Sequence, residues 1–165
     1  MLFQKLSQRL DWNVIDKVLQ AIHDSDSVAF FGTQFSHSAA LHFQTDLLML
    51  EKFTMAYMET ERQIDCARLM DENSVAIIVT VNGFYARSNS KVLQYLKKSK
   101  CKVVLMTNNP GIDIGINVNY TIVLGDSEQR KIGKHTLLTA VELMSLRLLF
   151  FILSRNSGKN YLKRF

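Results

Sequence analysis

The sequence predicts an α/β domain, a three-layer α-β-α sandwich around a five-stranded parallel sheet of flavodoxin-like topology. Helical patterns alternate with short apolar runs rich in β-branched and aromatic residues along the whole chain. The apolar runs have no polar face, which is typical of parallel strands covered by helices on both sides. A length of 165 residues suits one domain. We therefore expect one domain over 1–165, with a helical lead-in at 1–11 and a basic tail at 156–165.

The first half of the chain contains two strand candidates and three helix candidates. Residues 11–23 place apolar side chains on one helical face, and the run SVAFFG (27–32) ends in glycine, as a buried strand often does. A helix is predicted over 36–50, followed by a strand at 53–58. The helix predicted at 60–70 has Thr60 and Gln63 at the two positions of a capping box.

The second half continues the alternation. SVAIIVTV (74–81) is the clearest buried strand, and Asn82-Gly83 marks the turn after it. Val92, Leu93 and Leu96 have helical spacing within 88–99. The remaining strands are predicted at 102–107 and 120–125, and a long apolar helix closes the fold over about 134–155.

Composition and cysteine spacing exclude several classes of protein. The net charge of +5 favours anionic ligands, but the basic residues do not alternate with aromatic ones as in a single-strand nucleic-acid groove. Cys66 and Cys101 match no metal or redox spacing, so we expect two buried thiols, no metal and no cofactor. The sequence also shows no disulfide framework and no secretory leader, so we expect a cytoplasmic protein.

The apolar stretch 136–153 is the one candidate membrane segment, and we do not expect it to span a membrane. Glu142 and Arg147 interrupt it, and each would be costly at the centre of a bilayer. Its apolar residues cover most of the helix circumference, more than one face of a sheet can bury. We therefore expect it to form a homodimer or higher homo-oligomer interface. The alternative is that another helix of the same chain covers the remainder.

The helix starts after the first and third strands carry no acidic residue. The helix at 36–50 opens with Ser36 and meets no carboxylate until Asp46, and the segment 80–88 has none. The start of the last helix offers cations instead, at Lys131, Lys134 and His135. Bare amides and hydroxyls at the carboxyl ends of parallel strands predict an anion site, and specifically a phosphate site. The alternative is that Ser36 and Ser88 are ordinary helix N-caps.

Two stretches resemble the loops of sugar isomerase (SIS) domains. FFGTQFSHSAALHF is similar to their first loop, a G-x-G-x-S pattern, although Gln34 replaces the second glycine. IIVTVNGFYARSNSKVLQYLKKSKCKVVLMTNN is similar to their second loop, S-x-S-G-x-T, with Tyr85 where threonine is usual. The resemblance covers about 12–155 and is strongest to the effector domain of RpiR-type transcriptional regulators.

The resemblance implies a binding site for a phosphorylated sugar or amino sugar. Ser36, Thr80 and Asn82 would donate hydrogen bonds to the phosphate, with backbone N–H groups near Gly83. Phe84 and Tyr85 would narrow the pocket, stack on the ligand or abolish binding. The candidate ligand-binding residues are Gly32, Ser36, His37, Thr80, Asn82, Gly83, Tyr85 and Thr107. DNA would be bound only through a helix-turn-helix domain that this sequence does not contain.

Three functions fit these observations, and we favour ligand sensing. A sugar-phosphate isomerase needs a positioned base, for which His37, His135 and Glu142 are candidates. No loop carries a pair of carboxylates, so we assign no catalytic residue and expect binding without turnover. The third alternative is a degenerate SIS dimerisation module whose pocket is closed by Phe84 and Tyr85.

Overall fold

The computed structural model of the chain describes residues 2–33, 35–49, 51–125 and 133–156. The strands in chain order are β1 Ser27–Phe31, β2 Phe53–Ala56, β3 Ser74–Val79, β4 Lys102–Thr107 and β5 Tyr120–Val123. The helices are α1 Leu2–Arg9, α2 Trp12–Asp24, α3 Phe35–Met49, α4 Thr60–Leu69, α5 Phe84–Ser88, α6 Ser90–Ser99 and α7 Gly133–Asn156. Residues 157–165, most of the expected basic tail, lie outside the described residues.

The five strands form one parallel sheet in the order β2-β1-β3-β4-β5. The chain adds β2 on one side of β1 and then returns to add β3, β4 and β5 on the other. The boundary between β1 and β3 is therefore the point where the direction of strand addition reverses. The predicted five-stranded parallel sheet is confirmed.

Helices cover both faces of the sheet, as the apolar strands require. All six residues of β3 are buried. Alternate strand residues such as Val75 and Ile77 pack under α1, α2, α3 and α7. Their neighbours Ala76 and Ile78 pack under α4, α5 and α6. The three-layer sandwich is confirmed.

Local chemistry explains the start of α2, but the boundaries of α4 to α6 differ from those that the sequence predicts. Asp11 caps α2, because its carboxylate accepts hydrogen bonds from the backbone N–H groups of Asn13 and Val14. The capping box predicted for α4 is wrong. The N-cap residue is Glu59, whose side chain makes no capping bond, and the Gln63 side chain is buried among other partners. The helix predicted over 88–99 is α6, which begins at Ser90, and the short helix α5 that precedes it was not predicted.

The long helix α7 is held to α2 by one ion pair. Arg147 donates to both carboxylate oxygens of Asp16, at 2.9 and 2.8 Å, and its guanidinium lies 5.9 Å from the Trp12 ring centroid. Arg147 therefore pairs with Asp16 and not with Glu142, its neighbour in sequence, which is exposed.

Helices α3 and α7 pack against each other and leave large apolar side chains in solvent. These side chains are Leu41, Leu48, Met49, Leu146, Leu149, Phe150 and Leu153.

Within the described residues, the segment Thr136–Ser154 of α7 is long and apolar enough to cross a membrane, judged by length and composition alone. Core helices of soluble proteins pass the same test, and 39% of this segment is buried.

Candidate functional site

The loops that follow β1, β3 and β4 lie side by side at the carboxyl edge of the sheet. Phe31 is level with Ile78, and Val79 is level with Met106. Backbone hydrogen bonds continue the alignment into the loops, since the Thr80 N–H donates to the Met106 carbonyl at 3.0 Å. In open α/β sheets ligands bind at this edge, where strand order reverses. The predicted loops therefore converge on the usual ligand position of the fold.

The first loop depends on a glycine at the end of β1. A Cβ atom on Gly32 would lie 2.5 Å from the Ser36 Cβ atom and 3.4 Å from the Val79 carbonyl oxygen. Only glycine therefore lets the first turn of α3 approach the strand ends this closely. Ser36 is the second residue of α3 and its N–H donates to the Thr33 carbonyl, so it does not occupy the N-cap position. Gln34, the substituted loop position, lies outside the described residues.

A narrow cleft lies beside this turn, and in this structure it is too tight to admit a water-sized sphere. Gly32, Ser36 and His37 line it together with Tyr57 and the end of β3, so the fold brings three of the predicted site residues together. The His37 Nε2 atom lies 3.4 Å from the Ala56 carbonyl oxygen. The first turn of α3 contains no acidic residue, and its partial positive charge is therefore uncompensated there. The charge of this turn suits an anion, and the cleft has to widen before a phosphate can enter it.

The second loop is covered by the loop that follows β4. Gly83 has φ of +77°, and a Cβ atom there would lie 2.4 Å from the Ile112 Cδ1 atom. The Arg87 guanidinium donates to the Asn82 carbonyl at 3.2 Å. Asn82 and Phe84 are exposed, with Phe84 66% accessible. Ser88 ends α5 and is not the N-cap of α6, which is Asn89.

Two threonines lie at the ends of β3 and β4 with different surroundings. The Thr107 hydroxyl donates to the Val81 carbonyl and accepts from the Asn109 N–H, so it holds the second and third loops together. The buried Thr80 hydroxyl makes no hydrogen bond to any described residue. An unpaired buried hydroxyl costs about 1–3 kcal/mol. Thr80 is therefore a predicted site residue whose buried hydroxyl has unused bonding capacity.

Tyr85 points into the protein. It is 3% exposed, and its hydroxyl donates a short hydrogen bond to the Gln63 Oε1 atom. Burial, and to a lesser extent the charge of Cys66, raises the pKa of Tyr85. The ring therefore packs beneath α4 and is not presented to a ligand. Gln63 is the residue that the sequence did not reveal, because its spacing from Thr60 is that of an ordinary capping pair.

Titratable groups are sparse around the cleft. Its described lining contains no carboxylate. His23 and His42 are exposed, Glu142 is exposed on α7, and the side chain of His135 lies outside the described residues. In the described ranges no group of three His, Cys, Asp or Glu residues could hold a metal ion. Both cysteines are free and buried, and burial raises the pKa of Cys66 to about 12.

The sequence matches no family model and no curated protein. Solved structures match closely in fold. The NanR protein of Vibrio vulnificus, complexed with ManNAc-6P, is 15% identical with a TM-score of 0.77; the match covers 94% of this chain and 61% of that chain. This chain thus spans less than two thirds of that NanR chain.

Two further structures show the same similarity. The sugar isomerase domain of an RpiR transcription factor from Sphaerobacter thermophilus is 15% identical with a TM-score of 0.75, over 94% of this chain and 88% of that one. A candidate sugar-phosphate isomerase of Listeria monocytogenes is 11% identical with a TM-score of 0.76, over 91% of this chain and 82% of that one. The chain therefore has the fold of the sugar isomerase (SIS) domain, the fold shared by these regulator and isomerase structures.

Proposed function

We propose that the chain is a phosphosugar-sensing effector domain of an RpiR-type transcriptional regulator. The observation that carries the proposal is the cleft between the ends of β1 and β3. The first turn of α3, which lines the cleft, has no carboxylate, and the buried hydroxyl of Thr80, one residue beyond the cleft-lining Val79, has no described partner. A phosphate supplies the negative charge and the acceptor oxygens that such groups need. The ligand complex of NanR supports this ligand class.

The proposed site combines two loops. Ser36, Thr80 and Asn82 donate to the phosphate, together with backbone N–H groups of the first turn of α3. Gly32 and Gly83 permit the close backbone approach, His37 lies along the sugar, and Tyr85 and Thr107 support the loops from beneath.

Binding without turnover is favoured over isomerisation. An isomerase moves a proton between sugar carbons and needs a base within hydrogen-bond reach. His37 is the histidine that lines the cleft in the described part of the chain, and no carboxylate stands beside it there. The isomerase alternative predicts that incubation with aldose or ketose phosphates changes their NMR spectra. The sensor proposal predicts unchanged spectra at saturating ligand.

The proposed assembly is a homodimer in the cytoplasm, and the exposed apolar side chains of α3 and α7 support it. Ligand bridging loops 32–37 and 80–88 would shift the relative position of two subunits, provided that it binds one arrangement more tightly. DNA would be bound only through a helix-turn-helix domain outside these residues.

A thermal-shift screen with hexose, hexosamine and pentose phosphates tests the proposal. A ligand at 100 times its Kd stabilises the native state by about 2.7 kcal/mol. We expect one phosphosugar to raise Tm and the Ser36→Ala, Thr80→Ala double variant to lose the rise. The pair Ser7→Ala and Thr121→Ala, on α1 and β5, is the matched control and keeps it. If no phosphosugar raises Tm, the better account is a degenerate dimerisation module that binds no ligand. The narrowness of the cleft favours that alternative.

A further inference from the structure

The side chain of Gln63 joins two loops and one helix at the carboxyl edge of the sheet. It is 1% exposed and projects from α4. Its Nε2 atom lies 2.9 Å from the Gly32 carbonyl oxygen, 2.8 Å from that of Tyr57 and 3.3 Å from that of Met58, so its two N–H groups are shared among three acceptors. Its Oε1 atom accepts from the Tyr85 hydroxyl. One buried amide therefore contacts the loop after β1, the loop after β2 and the helix α5.

The orientation of this amide is fixed by chemistry. Three of its neighbours are backbone carbonyls, which only accept hydrogen bonds, so the NH₂ group must face them. The remaining neighbour is a phenol, which can donate to the amide oxygen. Flipping the amide would place its oxygen against three other oxygens. The contact is thus a polarised chain from the Tyr85 hydroxyl to the Gly32 carbonyl.

Both ends of this chain lie next to proposed phosphate ligands. The Gly32 carbonyl precedes the first turn of α3. Gly32 and Ser36 are so close that a Cβ atom on Gly32 would clash with the Ser36 side chain. Tyr85 lies in α5, which begins directly after Gly83. The Gln63 contact therefore connects the first loop to the helix that follows the second.

We propose that Gln63 is a positioning residue of the phosphosugar site, which holds the loop after β1 at the correct distance from α5. This inference rests on the proposed function. Gln63 itself touches no ligand. It binds the two loops in one arrangement before the ligand arrives, so that less ordering has to accompany binding.

The experiment compares four variants with the wild type. Gln63→Met keeps the length of the side chain but removes every hydrogen bond. Tyr85→Phe removes the donor, and the double variant removes both partners. Gln94→Met, an exposed glutamine on α6, is the matched control. Titration calorimetry with ManNAc-6P and with inorganic phosphate measures Kd well below the unfolding temperature, and thermal denaturation measures Tm.

The result expected from positioning separates binding from stability. Gln63→Met leaves a buried Tyr85 hydroxyl without its acceptor and lowers Tm. Adding Tyr85→Phe removes that hydroxyl and restores part of the Tm. In the double variant the Gly32 carbonyl still lacks its donor. The Kd of that variant for the ligand therefore stays at least ~10-fold above the wild-type Kd, a difference that corresponds to one lost hydrogen bond. Gln94→Met binds like the wild type. Affinity that is unchanged in Gln63→Met, or that recovers together with Tm, overturns the proposal.

A second readout needs no ligand and separates this inference from the proposed function. The N–H of Thr33 belongs to the same peptide group as the Gly32 carbonyl, so its NMR signal reports the Gln63 contact. Tyr85→Phe should shift that signal, and the shift should vanish in the Gln63→Met background. If the wild type binds no probe, the proposed function fails, and the Thr33 signal alone decides whether Gln63 couples the loops. If the Thr33 N–H signal of the Tyr85→Phe variant is the same as that of the wild type, Gln63 does not couple the two loops.

Discussion

The two loops at the reversal of strand order are held in different ways. In the first, Ser36 and His37 are half-buried and line a cleft, and the turn is shaped by the close approach of Gly32 to α3. In the second, Gly83 lies beneath Ile112 and Tyr85 is anchored in the core, while Phe84 faces solvent. The first loop therefore offers its polar groups outward, whereas the second is fixed from below. In the proposed site, a phosphate would accept hydrogen bonds from the backbone N–H groups of the first loop. The anchored second loop would contribute the Thr80 hydroxyl.

Two adjacent aromatic residues give the largest expected difference. Tyr85→Ala removes a buried ring and leaves Gln63 without its donor, so we expect a loss of about 3–5 kcal/mol in the free energy of unfolding. Phe84→Ala changes a side chain that is 66% exposed and should stay within about 0.5 kcal/mol of the wild type. Urea denaturation of both variants measures the contrast. Equal losses would show that the second loop is not anchored through Tyr85.

The second loop should also be the less tolerant of an added methyl group. Gly83→Ala combines a left-handed backbone, which costs about 1–2 kcal/mol, with a clash against Ile112 that costs about 1–3 kcal/mol more. Gly115 has the same φ of +77° and nothing within 4 Å, so Gly115→Ala isolates the backbone cost. Thermal denaturation gives the difference between the two. Similar losses would mean that Ile112 moves aside freely.

The first loop should respond to the same change through packing alone. Gly32→Ala places a Cβ atom 2.5 Å from that of Ser36, and we expect a loss of about 1–3 kcal/mol as α3 is displaced. Gly125→Ala, with open space around it, is the matched control and should stay within about 0.5 kcal/mol. Denaturation curves that coincide for the two variants would contradict the close approach of α3 to β1.

Alkaline pH gives the smallest and most specific effect. Burial raises the pKa of the Tyr85 phenol, whereas an unfolded tyrosine ionises near ~10. The native state thus keeps a proton that the unfolded state loses, and the free energy of unfolding falls as pH rises above ~10. Tyr85→Phe should make that fall shallower by up to about 1.4 kcal/mol per pH unit.

Tyr95→Phe is the control for the pH experiment. The neighbouring Arg68 guanidinium lowers the pKa of Tyr95, so removing this phenol cannot make the fall shallower. Denaturation between pH 9 and ~11.5 measures both variants within the range where an unfolded phenol titrates. Curves with the same slope for Tyr85→Phe and the wild type would place the Tyr85 phenol in contact with solvent.

The sequence was sufficient to predict the sheet, and the ligand site at its carboxyl edge stays a prediction. Apolar runs such as 74–81 gave the strands, because a parallel sheet must bury both faces. Four strands were predicted one or two residues too long, at 27–32, 53–58, 74–81 and 120–125. The sequence pattern used for the prediction continues past the last residue that pairs with a neighbouring strand. The general rule for open α/β sheets then placed the expected ligand site at the carboxyl ends of β1 and β3.

The supporting contacts could not be predicted from one sequence. Gln63 is separated by 31 residues from Gly32 and by 22 from Tyr85, and its spacing from Thr60 fits a capping box equally well. Similarly, Arg147 has Glu142 nearby in sequence, yet it pairs with Asp16, 131 residues away. Local patterns select a side-chain partner only when the partner is local, and both of these partners are brought in by the packing of α4 and α7.

The most direct test of the account is an NMR titration of the ¹⁵N-labelled chain with ManNAc-6P and with inorganic phosphate. The account predicts that backbone amide signals move in the first turn of α3, from Ser36 to Ser38, and together with them at Thr80 and Asn82. The signals of Gly115 and Gly125, which lie away from the cleft, should stay in place. Movement confined to other parts of the sheet, or no movement at millimolar probe, would contradict a phosphate site between the ends of β1 and β3.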